Sequence, residues 1–261
     1  MADATDRPPA QLRGSDLHAG EAFLFEGGPI GCALLHGFTA APREMRPLGR
    51  YLNDAGFTVH GVRLAGHGTR PEDLARTGWR EWYASAHEAV SRLRGGCRRV
   101  FACGLSLGGA LALLLGARGE VDGVISIATP LHPAERRLKY ARFIAPFKRY
   151  TPKGFADLHD PAARADHADY LRVPTRAAAN LHHLIGLLER ELPRVNAPVL
   201  IIHSRLDRVV PPEDAQAIFK RVATADKRLV WLERGGHIAT EDYDKAIVFE
   251  ETRRFIEAHS R

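Results

Sequence analysis

The sequence has few cysteines and no long apolar run, and each of these absences excludes a class of protein. Its three cysteines, Cys32, Cys97 and Cys103, form neither an even disulfide set nor a metal-binding spacing. This usage is typical of a reducing compartment, so we expect a cytoplasmic protein without a bound metal. No apolar stretch approaches the length of a membrane span, and the first 20 residues lack the apolar core of a signal peptide.

Lysine is scarce as well, and the positive charge comes almost entirely from arginine. The chain has 31 Arg but only 6 Lys, and its formal net charge is +6. Because the arginines are scattered along the chain, we predict a solvated basic surface and no nucleic-acid site. The length of 261 residues suits one large domain. We predict that this domain spans residues 20–261 and that residues 1–19 form a partly disordered leader.

Strand and helix patterns alternate along most of the chain. Apolar runs predict strands at 21–26, 30–35, 57–61, 100–103, 121–128, 198–203 and 228–232. Amphipathic or Ala- and Leu-rich segments predict helices at 42–56, 78–93, 110–115, 212–222 and 241–258. This alternation is typical of an α/β protein with a mostly parallel sheet of about seven strands and helices on both faces.

The alternation breaks between Thr129 and Val195, where we find no strand pattern. Short helical segments are interrupted there by Pro133, Pro146, Pro152, Pro161 and Pro174. We therefore predict a small helical cap inserted at about 131–195.

A sharp strand-to-helix turn is predicted at Gly104-Leu105-Ser106-Leu107-Gly108, which fits the G-x-S-x-G nucleophile elbow. Glycine is needed on both sides of the serine because side chains there would collide with neighbouring backbone. Ser106 would then stand exposed above the sheet as a nucleophile. The alternative interpretation is an ordinary turn that carries a surface serine.

A serine nucleophile needs a base and an acid that orients the base, and both are expected at the carboxyl ends of strands. Asp207 follows the strand at 198–203, and His237 follows the strand at 228–232 after two glycines. The order Ser106, Asp207, His237 is the one expected for an α/β-hydrolase. By contrast, His203 ends a strand without an acid-bearing loop of its own, which favours a core or rim position.

Two backbone N–H groups are expected to stabilise an oxyanion near Ser106. One belongs to Leu107, directly after the nucleophile, and the other to Phe38, in the loop after the strand at 30–35. We expect the Phe38 ring to lie either against the acyl pocket or at an exposed rim.

These motifs resemble those of the small bacterial carboxylesterases and monoacylglycerol lipases of the α/β-hydrolase superfamily. The resemblance rests on His36-Gly37-Phe38-Thr39, Gly66-His67-Gly68, the elbow, the Asp207 loop and Gly236-His237. It covers about residues 21–258 and is weakest across the cap. It implies hydrolysis of short- to medium-chain acyl esters or monoacylglycerols without a cofactor. It also implies a catalytic triad of Ser106, Asp207 and His237, with Phe38 and Leu107 as oxyanion donors.

The substrate is the open question, because fold and triad do not choose it. The same triad serves thioesterases, aryl esterases of the feruloyl type, lactonases and acyltransferases, and a non-enzymatic ligand-binding module is a further alternative. Phe143, Ile144 and Phe147 of the cap are candidate substrate contacts, interleaved with basic residues. One interpretation is that this basic face is simply solvated. The other is that it docks weakly on an anionic lipid interface or attracts acidic substrates. We expect a small-molecule ester or monoacylglycerol as the substrate, and a monomer or homodimer.

Overall fold

The computed structural model describes residues 20–132 and 148–260. The strands are β1 (Phe23–Phe25), β2 (Ile30–Leu35), β3 (Thr58–Val62), β4 (Arg99–Leu105), β5 (Gly123–Ile127), β6 (Tyr150–Pro152), β7 (Arg172–Pro174), β8 (Val199–Ser204) and β9 (Lys227–Leu232). The helices are α1 (Arg46–Asp54), α2 (Pro71–Leu74), α3 (Trp79–Arg94), α4 (Leu107–Ala117), α5 (Pro161–Asp166), α6 (Thr175–Glu191), α7 (Pro212–Arg221) and α8 (Lys245–Ala258). The predicted leader lies outside the described residues.

Seven strands form one sheet in the order β1-β3-β2-β4-β5-β8-β9. Only β1 runs antiparallel to its neighbour, β3, and all other neighbouring pairs are parallel. The predicted mostly parallel sheet of about seven strands is therefore confirmed. Because parallel strands end at one edge, the loops after β4, β8 and β9 meet there.

Helices cover both faces of this sheet, as alternate strand residues show. Cys32 and Leu34 of β2 pack with α1 and α8, whereas Ala33 and Leu35 pack with α3, α4, α6 and α7. Helix α4 lies between the sheet and α6, and its residues from Leu107 to Gly116 are all buried. This explains why the segment after the predicted elbow is apolar all round.

Two predicted elements differ from the structure. The predicted helix at 42–56 is divided into a short 3₁₀ helix at Pro42–Met45 and α1, because Pro47 has no N–H to continue the hydrogen-bond ladder. The segment expected to lack strands contains β6 and β7, which pair antiparallel as a small separate sheet. Three-residue strands that each include a proline are too short to leave an alternating pattern in the sequence.

The remainder of the predicted cap includes α5 and α6. Its substrate-contact candidates, Phe143, Ile144 and Phe147, lie outside the described residues. Within the described ranges, no helix combines the length and the apolar character that crossing a bilayer requires.

Candidate active site

Ser106 sits at a strained turn between β4 and α4. Its backbone has φ 55° and ψ −112°, a combination that non-glycine residues rarely adopt. The two flanking glycines are needed because the chain packs against itself: a Cβ on Gly104 would lie 2.1 Å from the Gly108 carbonyl, and one on Gly108 would lie 2.0 Å from the Leu35 carbonyl oxygen. The turn leaves Ser106 partly exposed although its neighbours are buried.

Asp207 and His237 are brought together by the adjacent strands β8 and β9. His237 Nδ1 lies 2.7 Å from Asp207 Oδ2, and the backbone N–H groups of Val209 and Val210 each donate to Asp207 Oδ1 at 2.8 Å. Burial opposes ionisation of Asp207, but attraction to His237 and hydrogen bonds from His203, His237 and Val210 outweigh it and hold its pKa well below its usual value. An ionised Asp207 accepts a hydrogen bond from the Nδ1–H group of His237, which leaves Nε2 of His237 as the free acceptor.

Ser106 and His237 line the same cavity, which has a volume of about 710 Å³. Apolar side chains from β7, α6 and the loops after β8 and β9 form much of its wall: Val173, Ala178, Leu181, Ile185, Val209, Val210 and Ile238. Polar and charged residues line it as well: Thr39 in the loop after β2, Glu44 in the 3₁₀ helix at Pro42–Met45, Lys153 and Asp157 after β6, and His167 after α5. The cavity thus offers both an apolar wall and a polar wall near Ser106.

The loop after β2 holds two backbone groups in place and leaves one free. The His36 ring accepts from the Leu64 N–H through Nε2 at 3.3 Å, so its Nδ1 donates to the Gly37 carbonyl at 2.9 Å. The Gly37 N–H donates to Glu44 Oε2 at 2.6 Å. Neither the Phe38 nor the Leu107 N–H donates to any group in the part of the chain that the structure describes. Phe38 lines the cavity, whereas Leu107 is buried at the start of α4.

The Phe38 ring lines the cavity and also contacts two other rings. Its centroid lies 5.8 Å from that of Trp82 and 6.0 Å from that of His67. His67 is buried, and burial lowers its pKa well below the usual histidine value. This aromatic packing holds the Phe38 side chain against His67 and Trp82.

Glu44 is a buried carboxyl group beneath that loop, and it was not recognisable in the sequence. Burial raises its pKa from 4.5 to about 7, while His167, Lys153 and the Gly37 N–H act in the opposite direction and Glu241 adds to the rise. The neutral form is thus favoured on folding. Its stabilising contribution is complete below pH 4.5 and is lost as the pH rises through about 7.

Replacing Glu44 by Gln is expected to remove this pH dependence, because the amide keeps an acceptor for Gly37 and does not ionise. Between pH 5.5 and pH 8.5, the wild type should lose about 2 kcal/mol of unfolding free energy relative to Glu44→Gln. Urea unfolding at both pH values measures the difference. The exposed Glu88→Gln should follow the wild type, and parallel pH curves for Glu44→Gln and the wild type would contradict the assignment.

His203 is a second partner of Asp207 that sequence reasoning assigned to the core or rim. It is buried, and its Nε2 lies 3.3 Å from Asp207 Oδ2 and 3.2 Å from the Val210 carbonyl oxygen. The expectation that no acid orients His203 is wrong, because the Asp207 loop folds back over the end of β8. The spacing of four residues between His203 and Asp207 is the feature of the sequence that could have indicated this contact.

Among the described residues, no cluster of three or more His, Cys, Asp or Glu side chains is arranged to hold a metal ion. His182 and His183 lie on α6, and the His183 ring stacks on Trp79 with centroids 5.7 Å apart. Aromatic packing therefore explains His183.

The architecture is that of an α/β-hydrolase, in which the turn after a central parallel strand presents the nucleophile. The profile of the family described as serine aminopeptidase, S33, matches residues 31–244. The chain belongs to this family and is a hydrolase, which confirms the predicted superfamily.

Similar proteins cover nearly the whole chain. A carboxylesterase from Bacillus subtilis (strain 168) is 31% identical over 236 residues, which are 90% of this chain and 95% of that protein. A thermostable monoacylglycerol lipase from Bacillus sp. (strain H-257) is 35% identical over 246 residues, 94% of this chain and 97% of that protein. A solved structure from a study of two metagenome-derived lipolytic enzymes, LipS and LipT, is 33% identical, with a TM-score of 0.89, and covers 94% of this chain and 100% of its own.

Proposed function

We propose that the protein is a serine carboxylic-ester hydrolase that cleaves short- to medium-chain acyl esters or monoacylglycerols. The observation that carries this proposal is the buried Asp207–His237 pair, whose histidine opens onto the cavity that holds Ser106. The names of the carboxylesterase and monoacylglycerol lipase relatives support the same substrate class.

In the proposed reaction, Ser106 Oγ attacks the ester carbonyl carbon while His237 Nε2 takes its proton. The C–O bond to the alcohol then breaks, and the alcohol leaves with the proton from His237. Water attacks the acyl-enzyme in the same way, which releases the acid and restores Ser106. Asp207 keeps His237 in the tautomer with Nδ1 protonated and stabilises the imidazolium.

The negative oxygen of each tetrahedral intermediate needs donors that are already in place. The Phe38 and Leu107 N–H groups are free of partners in the described structure, and the helix α4 directs its N-terminus toward the same point. Such preorganised donors lower the barrier to acyl transfer strongly, by about 3 kcal/mol for one donor.

The apolar wall on α6 is proposed to hold the acyl chain. Leu181, which lines the cavity, is expected to limit chain length when enlarged to tryptophan. Excluding two methylene groups costs about 1.6 kcal/mol, roughly a 15-fold loss in kcat/KM for long esters with little change for short ones.

The measurement is hydrolysis of p-nitrophenyl esters from acetate to palmitate, together with 1-monoacylglycerols. Leu187→Trp, on the same helix but outside the cavity wall, is the matched control and should keep the wild-type chain-length profile. An unchanged profile for Leu181→Trp would place the acyl chain elsewhere.

Thioesterase, feruloyl-type esterase and acyltransferase activities use the same triad, and inactivity across this ester series would favour these alternatives. A structure with bound ferulic acid, Est1E from Butyrivibrio proteoclasticus, is 21% identical with a TM-score of 0.65 and shows only a shared fold. A ligand-binding module without activity is distinguished by a fluorophosphonate probe, which would not label Ser106 in such a protein.

We also propose weak association with anionic lipid interfaces, in a cytoplasmic monomer or homodimer. Support comes from Lys148 and Phe155, which both line the cavity, and Phe155 is 89% exposed. Lys153 does not contribute, because its Nζ pairs with Asp169 at 2.8 Å. The basic residues Arg136, Arg137, Lys139 and Arg142 lie outside the described residues. Co-sedimentation with phosphatidylglycerol vesicles measures the association.

A further inference from the structure

Asp157 joins the segment after β6 to both loops that carry the proposed base and acid. Its Oδ2 atom accepts the backbone N–H of His237 at 3.0 Å and the backbone N–H of Arg208, the residue after Asp207, at 3.0 Å. The Asp157 side chain is 10% exposed, so water competes little for these bonds. One carboxylate oxygen therefore links the two loops at His237 itself and at the residue directly after Asp207.

Close packing around Gly236 shows that this contact is built into the fold. A Cβ on Gly236 would lie 2.5 Å from the Asp157 carbonyl oxygen and 2.8 Å from Asp157 Cγ. The glycine before His237 is thus needed for the approach of Asp157.

A second carboxylate, that of Asp242, also joins the segment after β6 to the His237 loop. Asp242, which follows the His237 loop, accepts the N–H groups of Gly236 at 2.7 Å, His159 at 2.8 Å and Asp160 at 2.9 Å. Each segment therefore supplies an acidic side chain to the backbone of the other. The pair of carboxylates holds residues 157–160 rigidly against the His237 loop.

We propose that Asp157 is a positioning residue, which sets the His237 imidazole and the Asp207 loop in register with each other and with Ser106. It touches backbone and not the reacting atoms, so it acts through His237 and Asp207. Because Asp157 also lines the cavity, the wall around the substrate and the proposed triad share one anchoring group. This inference rests on the proposed function.

The test compares Asp157→Ala with Asp157→Asn. Alanine leaves two backbone N–H groups without an acceptor, whereas the Asn side-chain oxygen is able to accept both. Displacement of a catalytic group by about 1 Å can cost roughly 100-fold, so we expect kcat for p-nitrophenyl butyrate to fall about 10- to 100-fold in Asp157→Ala. KM should change less than about threefold, and Asp157→Asn should regain activity to within about threefold of the wild type.

Two readouts separate positioning from general destabilisation. The rate of fluorophosphonate labelling of Ser106 should fall with kcat in Asp157→Ala. The downfield proton NMR signal of His237 Nδ1–H should shift or broaden in Asp157→Ala and persist in Asp157→Asn. The NMR signal reports the Asp207–His237 bond without any substrate, so it remains informative even if the enzyme cleaves none of the tested esters.

The matched control is Asp160→Ala, which removes a carboxylate from the same segment. Asp160 Oδ1 caps the N-terminus of α5 through the Ala162 N–H at 2.9 Å and does not contact the loops of Asp207 or His237 through its side chain. Its activity should stay within about twofold of the wild type. Equal losses in Asp157→Ala and Asp160→Ala, or wild-type kcat in Asp157→Ala, would overturn the proposal.

If Asp157→Ala does not fold, Asp157→Ser replaces it. Activity of Asp157→Ser equal to that of Asp157→Asn would contradict the positioning role.

Discussion

Replacing Ser106 by alanine is expected to lower kcat/KM for p-nitrophenyl butyrate roughly 10⁵-fold or more, with the fold intact. The loss is large because the alanine side chain has no oxygen to attack the carbonyl, and the remaining groups then give only the small rate enhancement of binding and oxyanion stabilisation. Steady-state kinetics and fluorophosphonate labelling measure the effect, and labelling should disappear completely.

The control for this change is Ser91→Ala, at an exposed position on α3. It should retain both hydrolysis and labelling. Ser106→Ala that still hydrolyses esters at more than a few per cent of the wild-type rate would eliminate Ser106 as the nucleophile. The elbow would then be an ordinary turn, which is the alternative that the motif leaves open.

Replacing Asp207 by asparagine is expected to lower kcat about 10⁴-fold with little change in the position of His237. The Asn oxygen is able to accept the N–H groups of Val209 and Val210, so its NH₂ group then faces the His237 ring. That donor favours the tautomer with Nε2 protonated, in which His237 does not take the proton of Ser106. The effect should appear in kcat and much less in KM.

An exposed Asp–His pair provides the matched control. Asp226 Oδ2 lies 3.0 Å from His259 Nε2, and the Asp226 side chain is 61% exposed. Asp226→Asn should leave kcat unchanged. That result would show that loss of an aspartate charge beside a histidine is not sufficient to lower kcat. Activity of Asp207→Asn within tenfold of the wild type would mean that His237 is oriented by another group.

Several features of the site follow from short-range patterns in the sequence. The elbow at Ser106 is recognisable because strain at one residue requires glycines two positions away on either side. Asp207 and His237 are recognisable because each follows an apolar strand directly, and the strand order then places both loops at one edge of the sheet. The family and the parallel sheet, both confirmed, rest on the same local patterns.

Other features depend on contacts between residues that are distant in sequence. Asp157 reaches N–H groups that are 51 and 80 residues away, and a bond to a backbone N–H leaves no residue-specific partner to search for. Glu44 has the appearance of a surface residue in the sequence, and its burial in the fold is the main cause that raises its pKa to about 7. The strands β6 and β7 form only because they meet each other, since three residues carry no periodicity.

The sequence by itself determined the alternation of strands and helices, the strained serine turn and the residue types at the ends of β8 and β9, because each depends on neighbours within a few positions. The tertiary structure alone decided which carboxylates hold the loops, which carboxyl group has a raised pKa and what lines the cavity. Those properties depend on burial and on distances of about 3 Å between segments, and these exist only after the chain has folded.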